Sequence, residues 1–138
     1  MNPNTHTTDT DQLINSLICE NLNDEDYCQF HRTVLTRVSA AVKEARLFLP
    51  RSLYCQYKGL VELSCKMYRN VQSGKGTELP GAALGDMFRC YRTQAEEQYR
   101  MLCRLIVSTY HNTTIPEERE TLKNLINDMH RLIEQTNN

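Results

Sequence analysis

Apolar side chains recur three and four residues apart along most of the chain, the spacing that places them on one face of an α-helix. The longest uninterrupted example begins at Phe30 and continues to Pro50. Because the residue before a proline is disfavoured in the helical conformation, this helix is predicted to end near Leu49. Its apolar face is long enough to pack against two neighbours. The stretch is therefore predicted to form the central helix of a small all-helical domain.

A further helix is predicted ahead of this one. Residues 1–8 are expected to be disordered, and Asp9 is the predicted N-cap of a first helix that reaches Leu22. Asn23 either closes that helix or caps the next. The acidic residues 24–26 suit the positive end of the second helix, which they precede.

Three more helices are predicted after Pro50. One spans residues 51–71, and Gly59 within it marks either a close helix contact or a break into two shorter helices. After a loop rich in Gly, Ser and Pro, the next helix starts near Gly81, and its charged face is expected to contact water. The last helix follows a capping box made by Thr114 and Glu117. With no repeat, no sustained heptad register and no β-type alternation evident, the pattern predicts an all-α compact bundle of five to seven helices.

Composition narrows the class of protein. The chain has 138 residues and a net charge of -1, which fits a single domain over residues 9–137 and lacks the basic excess expected of a nucleic-acid or acidic-membrane binder. No segment approaches the roughly 20 continuous apolar residues that cross a bilayer, and the polar N-terminal segment does not resemble a signal peptide. The expected location is therefore the cytoplasm.

Candidate chemistry is sparse. The six cysteines are widely spaced and are predicted to be free thiols. Cys28 and His31 form the one pair at a helical spacing that could share a metal ion, but two ligands do not hold a structural zinc. Ser39, which is followed by two alanines, is interpreted as a packing residue. Neither a catalytic motif nor a cofactor site is recognised, so the protein is not expected to be an enzyme.

Two segments carry a family resemblance. Residues 12–27 hold a Gln-Leu pair, an apolar pair, a Leu and a Tyr at a characteristic spacing, and residues 35–42 combine Leu, Val and small residues. In both segments the chain resembles the start of a Bcl-2-like protein, whose second helix bears the BH3 signature Leu-x-x-h-small-Asp-x-h, where h is apolar. Ala40 stands at the position of the Asp in that signature.

The resemblance continues more loosely towards the C-terminus. Residues 57–62 are similar to the fourth helix of the family, and residues 83–88 lie where its BH1 motif would be. Asp86 replaces the Arg that in the family pairs with the Asp of a bound BH3 helix. The BH2 motif with its Trp and the C-terminal membrane anchor are missing. Such divergence looks most like the virus-encoded members of the family.

The resemblance implies an inhibitor of apoptosis that sequesters pro-apoptotic BH3 proteins, at the mitochondrial surface through those partners. The partner's amphipathic helix would lie in an apolar groove formed by the second to fifth helices. Gly85 would matter there because a side chain would obstruct the ligand helix. An open apolar groove also makes a homodimer an expectation. The residues expected to line the groove are Val38, Val42, Ala45, Arg46, Leu49, Leu53, Tyr57, Leu60, Val61, Ser64, Gly85, Asp86, Met87 and Phe88.

A helical structural or adaptor protein, a self-associating bundle without a groove, is the alternative. In that case Val38 and Phe88 are simply core residues, whereas Arg46, Tyr57 and Asp86 are harder to explain by packing. An open apolar channel between the packed helices would separate the two hypotheses.

Overall fold

The protein is a bundle of five α-helices, seen in a computed structural model that describes residues 3–45, 49–74 and 81–137. No strand is present in those ranges, so the all-α prediction is confirmed. In chain order the helices are α1 Pro3–Ser16, α2 Asp24–Ala45, α3 Arg51–Ser73, α4 Gly81–Asn112 and α5 Pro116–Asn137.

Two helices dominate the interior. α2, predicted as the central helix, contributes a continuous buried face from Tyr27 to Ala41 and packs along α3 and α5. α4 is longer, at 32 residues, and packs along α1, α3 and α5. Side chains of the two meet inside the bundle, where the rings of Phe30 and Tyr99 lie 5.7 Å apart. The centre is therefore shared by α2 and α4, since the apolar faces of both are long enough to contact several neighbours.

The first helix differs from its prediction at both ends. It begins at Pro3, six residues before the predicted N-cap at Asp9. Proline suits the first helical position because its φ is fixed near the helical value, and neither Gly nor Pro interrupts the residues that follow. The helix ends at Ser16, well before Leu22. Asn23 caps α2, because its Oδ1 accepts a hydrogen bond from the backbone N–H of Asp26 at 2.8 Å.

The second and third helices end close to where the sequence predicts. α2 ends at Ala45, residues 46–48 are outside the described part, and Leu49 and Pro50 are not helical. α3 ends at a left-handed glycine, Gly74, whose φ is 68° and whose N–H bonds back to the carbonyl oxygens of Asn70 and Val71. Glycine adopts this conformation without the steric cost that a Cβ would impose.

Gly59 plays neither predicted role. α3 continues through it without a break, and no atom lies within 4 Å of the place where its Cβ would be. The capping box at the start of α5 is also wrong, because Pro116 occupies the first helical turn and the Oγ1 of Thr113 accepts a bond from the backbone N–H of Ile115 instead. Within the described ranges, no helix is long and apolar enough to cross a membrane.

Candidate functional site

Five of the fourteen residues predicted to line a binding groove are buried in the core. Their side chains pack between α2, α3 and α4, so they do not face an open channel. Tyr57 was expected to be hard to explain by packing, but it is fully buried and is explained by it. The buried set comprises Val38, Tyr57, Val61, Ser64 and Phe88.

The remaining predicted residues are not brought together in one channel. Asp86 and Met87 are exposed, and Asp86 is in an ion pair with Arg89, one turn on in the same helix. A Cβ on Gly85 would meet only the guanidinium of Arg89, at 3.7 Å, which is an ordinary contact. Half-buried positions are Val42, Leu49, Leu53, Leu60 and Gly85, while the side chains of Ala45 and Arg46 are outside the described part.

The predicted groove wall on α2 faces α4 and α5. Val38, Val42 and Leu49 border a cavity of only about 10 Å³, which is closed on the other side by Ile106 and Leu125. A cavity of this size barely holds one water molecule. The wall is buried because α5 packs along the same face of α2 that the sequence assigns to a ligand.

An open groove does exist a quarter turn further round α2. We call it the α2–α3 groove: it separates the two helices along about three turns and has a volume of about 550 Å³. Leu35 forms its buried floor, and Tyr54 of α3 stands half-buried at one end. Its full lining is Arg32, Leu35, Thr36, Ser39, Ala40, Lys43, Tyr54, Lys58 and Glu62.

The α2–α3 groove carries a net positive charge. Arg32, Lys43 and Lys58 line it, against the single carboxylate of Glu62. No ion pair in the described ranges occupies any of these three cations. Their charges are therefore available to a ligand, and an acidic group placed between α2 and α3 would be attracted from both sides.

Small side chains form the α2 wall of the groove between its cations. Thr36, Ser39 and Ala40 leave the backbone of α2 accessible along this face. Sequence reasoning interpreted Ser39 as a packing residue and missed it as part of an open site. The available signal was the combination of small residues with Arg32 and Lys43 at helical spacing, which core helices do not carry.

A buried polar cluster lies behind the groove. Nδ1 of His31 is hydrogen bonded to the hydroxyl of Tyr57 at 2.6 Å. The hydroxyl of Ser64 donates to the carbonyl oxygen of Val61, so its oxygen accepts from Tyr27 at 2.9 Å. The hydroxyl of Tyr99 donates to the carbonyl of Leu17 at 2.5 Å. These bonds join α2 to α3 and α4 to the segment after α1, with each buried polar group satisfied.

Burial sets the protonation states in this cluster. It lowers the pKa of His31 to about 3, with a smaller contribution from the charge of Arg92. It also raises the pKa of Tyr27, Tyr57 and Tyr99 far above their usual range. The imidazole and phenols are thus neutral at physiological pH. Because His31 does not contact solvent, its role is to position neighbouring helices and not to exchange protons with a substrate.

The neighbouring Cys65 thiol of α3, together with burial, raises the pKa of the Cys28 thiol on α2. All six cysteines are free thiols. The described part of the chain contains no group of three His, Cys, Asp or Glu side chains that could hold a metal ion.

Arg92 departs from the predicted water-facing surface of α4. Its side chain is only 15% exposed, and its guanidinium donates to the carbonyl of Leu22 at 2.6 Å and to Asp24 at 2.7 Å. It also pairs with Glu96 and lies 4.7 Å from the ring centre of Tyr27. This one side chain therefore fixes the connection between α1 and α2 onto α4.

Comparisons of the chain with protein-family models, with curated proteins and with solved structures find no match. The Bcl-2-like resemblance therefore stays a prediction.

Proposed function

We propose that the protein binds an acidic amphipathic helix of a partner protein in the α2–α3 groove. By its resemblance to the Bcl-2-like family, the partners are pro-apoptotic BH3 proteins, and the function is inhibition of apoptosis by sequestration. The observation that carries the proposal is an open groove with an apolar floor and unpaired cations on both walls.

The dimensions of the groove suit a helix. Its α2 wall runs from Arg32 to Lys43, a length of about 16 Å, which corresponds to about three turns of a ligand helix. A ligand of that length presents apolar residues at three- and four-residue intervals. Those residues would cover Leu35 and the ring of Tyr54, whose apolar surfaces are the parts of the groove that gain most from losing water.

Charge explains why the partner is acidic. A BH3 helix carries an Asp among its apolar residues, and the Arg that meets it in the family is replaced here by Asp86. Arg32, Lys43 and Lys58 offer three alternative cations. Lys58 is the strongest candidate because it is the one cation on the α3 wall of the groove, whereas Arg32 and Lys43 are on the α2 wall. We therefore expect the Asp of the partner helix to pair with a cation in the α2–α3 groove and not with a residue at the start of α4.

Calorimetric titration with a panel of BH3 peptides tests this function. We expect one-to-one binding of at least one peptide, and Lys58→Glu should weaken it by about 10-fold or more, since it turns an attraction of about 1 to 2 kcal/mol into a repulsion. Lys123→Glu, at an exposed site on α5, is the matched control and should leave the affinity unchanged.

Two further variants locate the peptide. Ser39→Phe should block binding by filling the α2 wall without a change of charge. Gly85→Glu should have no effect, because Gly85 is on α4 and does not line the α2–α3 groove. If Gly85→Glu lost binding and Lys58→Glu kept it, the peptide would bind in the groove expected from the sequence and not in the α2–α3 groove. Absence of binding by every peptide to folded protein would refute a BH3-binding function.

A further inference from the structure

Exposed apolar side chains are concentrated on α3 and α4. Leu63 and Val71 of α3 are 38% and 42% exposed, and Met87 and Met101 of α4 are 37% and 50% exposed. The other large apolar side chain that is comparably exposed in the described ranges is Ile115, in the turn before α5. These four residues are on the side of α3 that faces away from the α2–α3 groove, and on the adjoining side of α4.

The four residues belong to two regular strips. Their members follow one another at alternating intervals of three and four residues, the repeat that forms seams between packed helices. We call the two strips together the α3–α4 strip. On α3 its members are Leu53, Gln56, Leu60, Leu63, Met67 and Asn70, with Val71 beside the last; on α4 they are Leu84, Met87, Tyr91, Gln94, Gln98, Met101 and Leu105.

The α3–α4 strip contains no charged residue. The ionisable groups of α3, including Lys58, Glu62 and Lys66, are on the side of the helix towards the α2–α3 groove. The charged residues of α4 are likewise confined to the opposite side of their strip. Six of its fourteen residues are exposed and eight are half-buried. Exposed positions on a helix ordinarily carry charges, because charges interact favourably with water. The uncharged exposed positions of the strip are therefore suited to contact another surface.

One detail beside the strip is unexplained by the single chain. Gly59 adjoins Leu63 on α3, costs helix stability relative to alanine, and serves no internal contact. A flat spot at a glycine allows an external helix to approach closely.

We propose that the α3–α4 strip is a self-association surface that takes the same strip of a second copy of this chain. An uncharged surface is complementary to itself, because a two-fold axis brings together apolar and amide groups without like-charge repulsion. Its glutamines and asparagine can donate and accept hydrogen bonds across such an axis. The proposal goes beyond the binding of a partner helix, which uses the other side of α3.

The size of the strip predicts how strong the dimer is. From Leu53 to Val71 the strip is about 27 Å long, and two adjacent helices make it about 20 Å wide. Two copies would bury on the order of 1,100 Å², at the lower end of specific interfaces. The dimer should therefore be reversible, with a dissociation constant in the micromolar range.

Sedimentation equilibrium over protein concentrations of about 1 to 200 µM tests the dimer. We expect the mass to rise from the 16.1 kDa of one chain towards twice that value. Leu63→Glu and Met101→Glu should each raise the dissociation constant at least 10-fold, because a charge would be buried against an apolar copy. Ile115→Glu is the matched control, an equally exposed apolar residue outside the strip, and should not change it.

Thiol labelling identifies the face independently. Cys90 is exposed on α4, next to Gln94 of the strip, whose side-chain amide donates a hydrogen bond to it. Cys55 is also exposed, but it lies on the face of α3 that carries Glu62, outside the strip. Labelling of Cys90 by a maleimide should slow at least 3-fold as the protein concentration rises through the dimerisation range, and labelling of Cys55 should not. A mass that stays at 16.1 kDa at every protein concentration would overturn the proposal. Equal dissociation constants for Leu63→Glu, Met101→Glu and the control Ile115→Glu would overturn it as well.

The self-association and the peptide binding are tested separately. Leu63→Glu should keep the affinity for a BH3 peptide, because Leu63 does not line the α2–α3 groove. Lys58→Glu should likewise still dimerise. Loss of one property without the other therefore shows which of the two proposals has failed.

Discussion

At the scale of single residues, His31 is a buried polar group with many aromatic neighbours. It is buried between the rings of Tyr27, Tyr57 and Tyr99, with centroid distances of 4.8 to 5.7 Å. Its one hydrogen bond joins α2 to α3. An imidazole in this environment is useful only while it is neutral, because no carboxylate is present among these neighbours to compensate a positive charge.

The pKa of His31 makes stability depend on pH. In the folded chain it is lowered from 6.5 to about 3, so the unfolded chain binds the proton more tightly. The contribution of His31 to stability is therefore complete above pH 6.5 and is lost as the pH falls towards 3, by about 1.4 kcal/mol per pH unit. Urea denaturation at a series of pH values should show this slope in the wild type and show it reduced by that amount in His31→Gln.

Tyr57→Phe separates the hydrogen bond from the titration. It should lower the free energy of unfolding at pH 7 by about 1 to 3 kcal/mol, because Nδ1 of His31 loses its partner while buried. The pH slope should remain, since His31 is still buried. An unchanged slope in His31→Gln would show that protonation of this residue does not control acid unfolding.

The sequence could not reveal these roles. His31 was noticed only for its spacing from Cys28, and neither spacing nor periodicity shows that the true partner is Tyr57, 26 residues away. Local helical spacing identifies residues on one face of a helix, but not which residue of a different helix that face meets.

At the scale of the helices, Arg92 connects α4 to the irregular segment between α1 and α2. The connection from Leu17 to Asn23 has no helical hydrogen bonds over most of its length, and Asn21 adopts a left-handed φ of 63°. Arg92 donates to the carbonyl of Leu22 and pairs with Asp24 at the positive end of α2. Because the side chain is mostly buried, these bonds count for more than an exposed ion pair.

Arg92→Met should lower the free energy of unfolding by about 2 to 3 kcal/mol, because it keeps the apolar stem but leaves the carbonyl of Leu22 and two carboxylates without their donor. Arg89→Met is the matched control. Arg89 pairs with Asp86 at a site where both side chains are about 70% exposed, and its loss should cost less than about 0.5 kcal/mol. Equal losses in the two variants, measured by chemical denaturation, would contradict this role for Arg92.

The existence and order of the helices were predictable, because amphipathic spacing is a local property. Their ends were less so: Asn23 was recognised as a possible cap, but the start of α1 at Pro3 and its end at Ser16 were not. The α3–α4 strip was also missed. Glutamine and asparagine interrupt its apolar residues, so its repeat becomes evident only when the two helices are seen side by side.

At the scale of the whole molecule, α3 separates two surfaces of different character. One side of it borders the positively charged α2–α3 groove, and the other side contributes to the uncharged α3–α4 strip. The proposed partner helix and the proposed second copy of the chain therefore do not compete for the same surface. The proposed assembly is a dimer with one partner helix in each groove.

The location of the open groove could not be predicted from the sequence. The apolar face of α2, including Val38 and Val42, is suited equally to the core and to a ligand-binding wall. Which one it forms depends on whether α5, the last helix of the chain, packs on it. The groove lies instead on the face of α2 that contains small and basic residues.

The tyrosine cluster also makes the chain its own optical reporter. There is no tryptophan, so absorption and fluorescence arise mainly from seven tyrosines, three of which are buried in the cluster. Burial raises the pKa of Tyr27, Tyr57 and Tyr99. Their contribution to the free energy of unfolding is therefore complete below pH 10 and is lost as the pH rises above it, because the phenols of the unfolded chain ionise first. In an alkaline titration their phenolate absorption should appear together with the loss of helical circular dichroism, and Tyr99→Phe should reduce the amplitude of that step. Phenolate absorption from all seven tyrosines while the helices remain intact would contradict this expectation. Ultraviolet absorption alone can thus follow the unfolding of this protein, without an added dye or an engineered tryptophan.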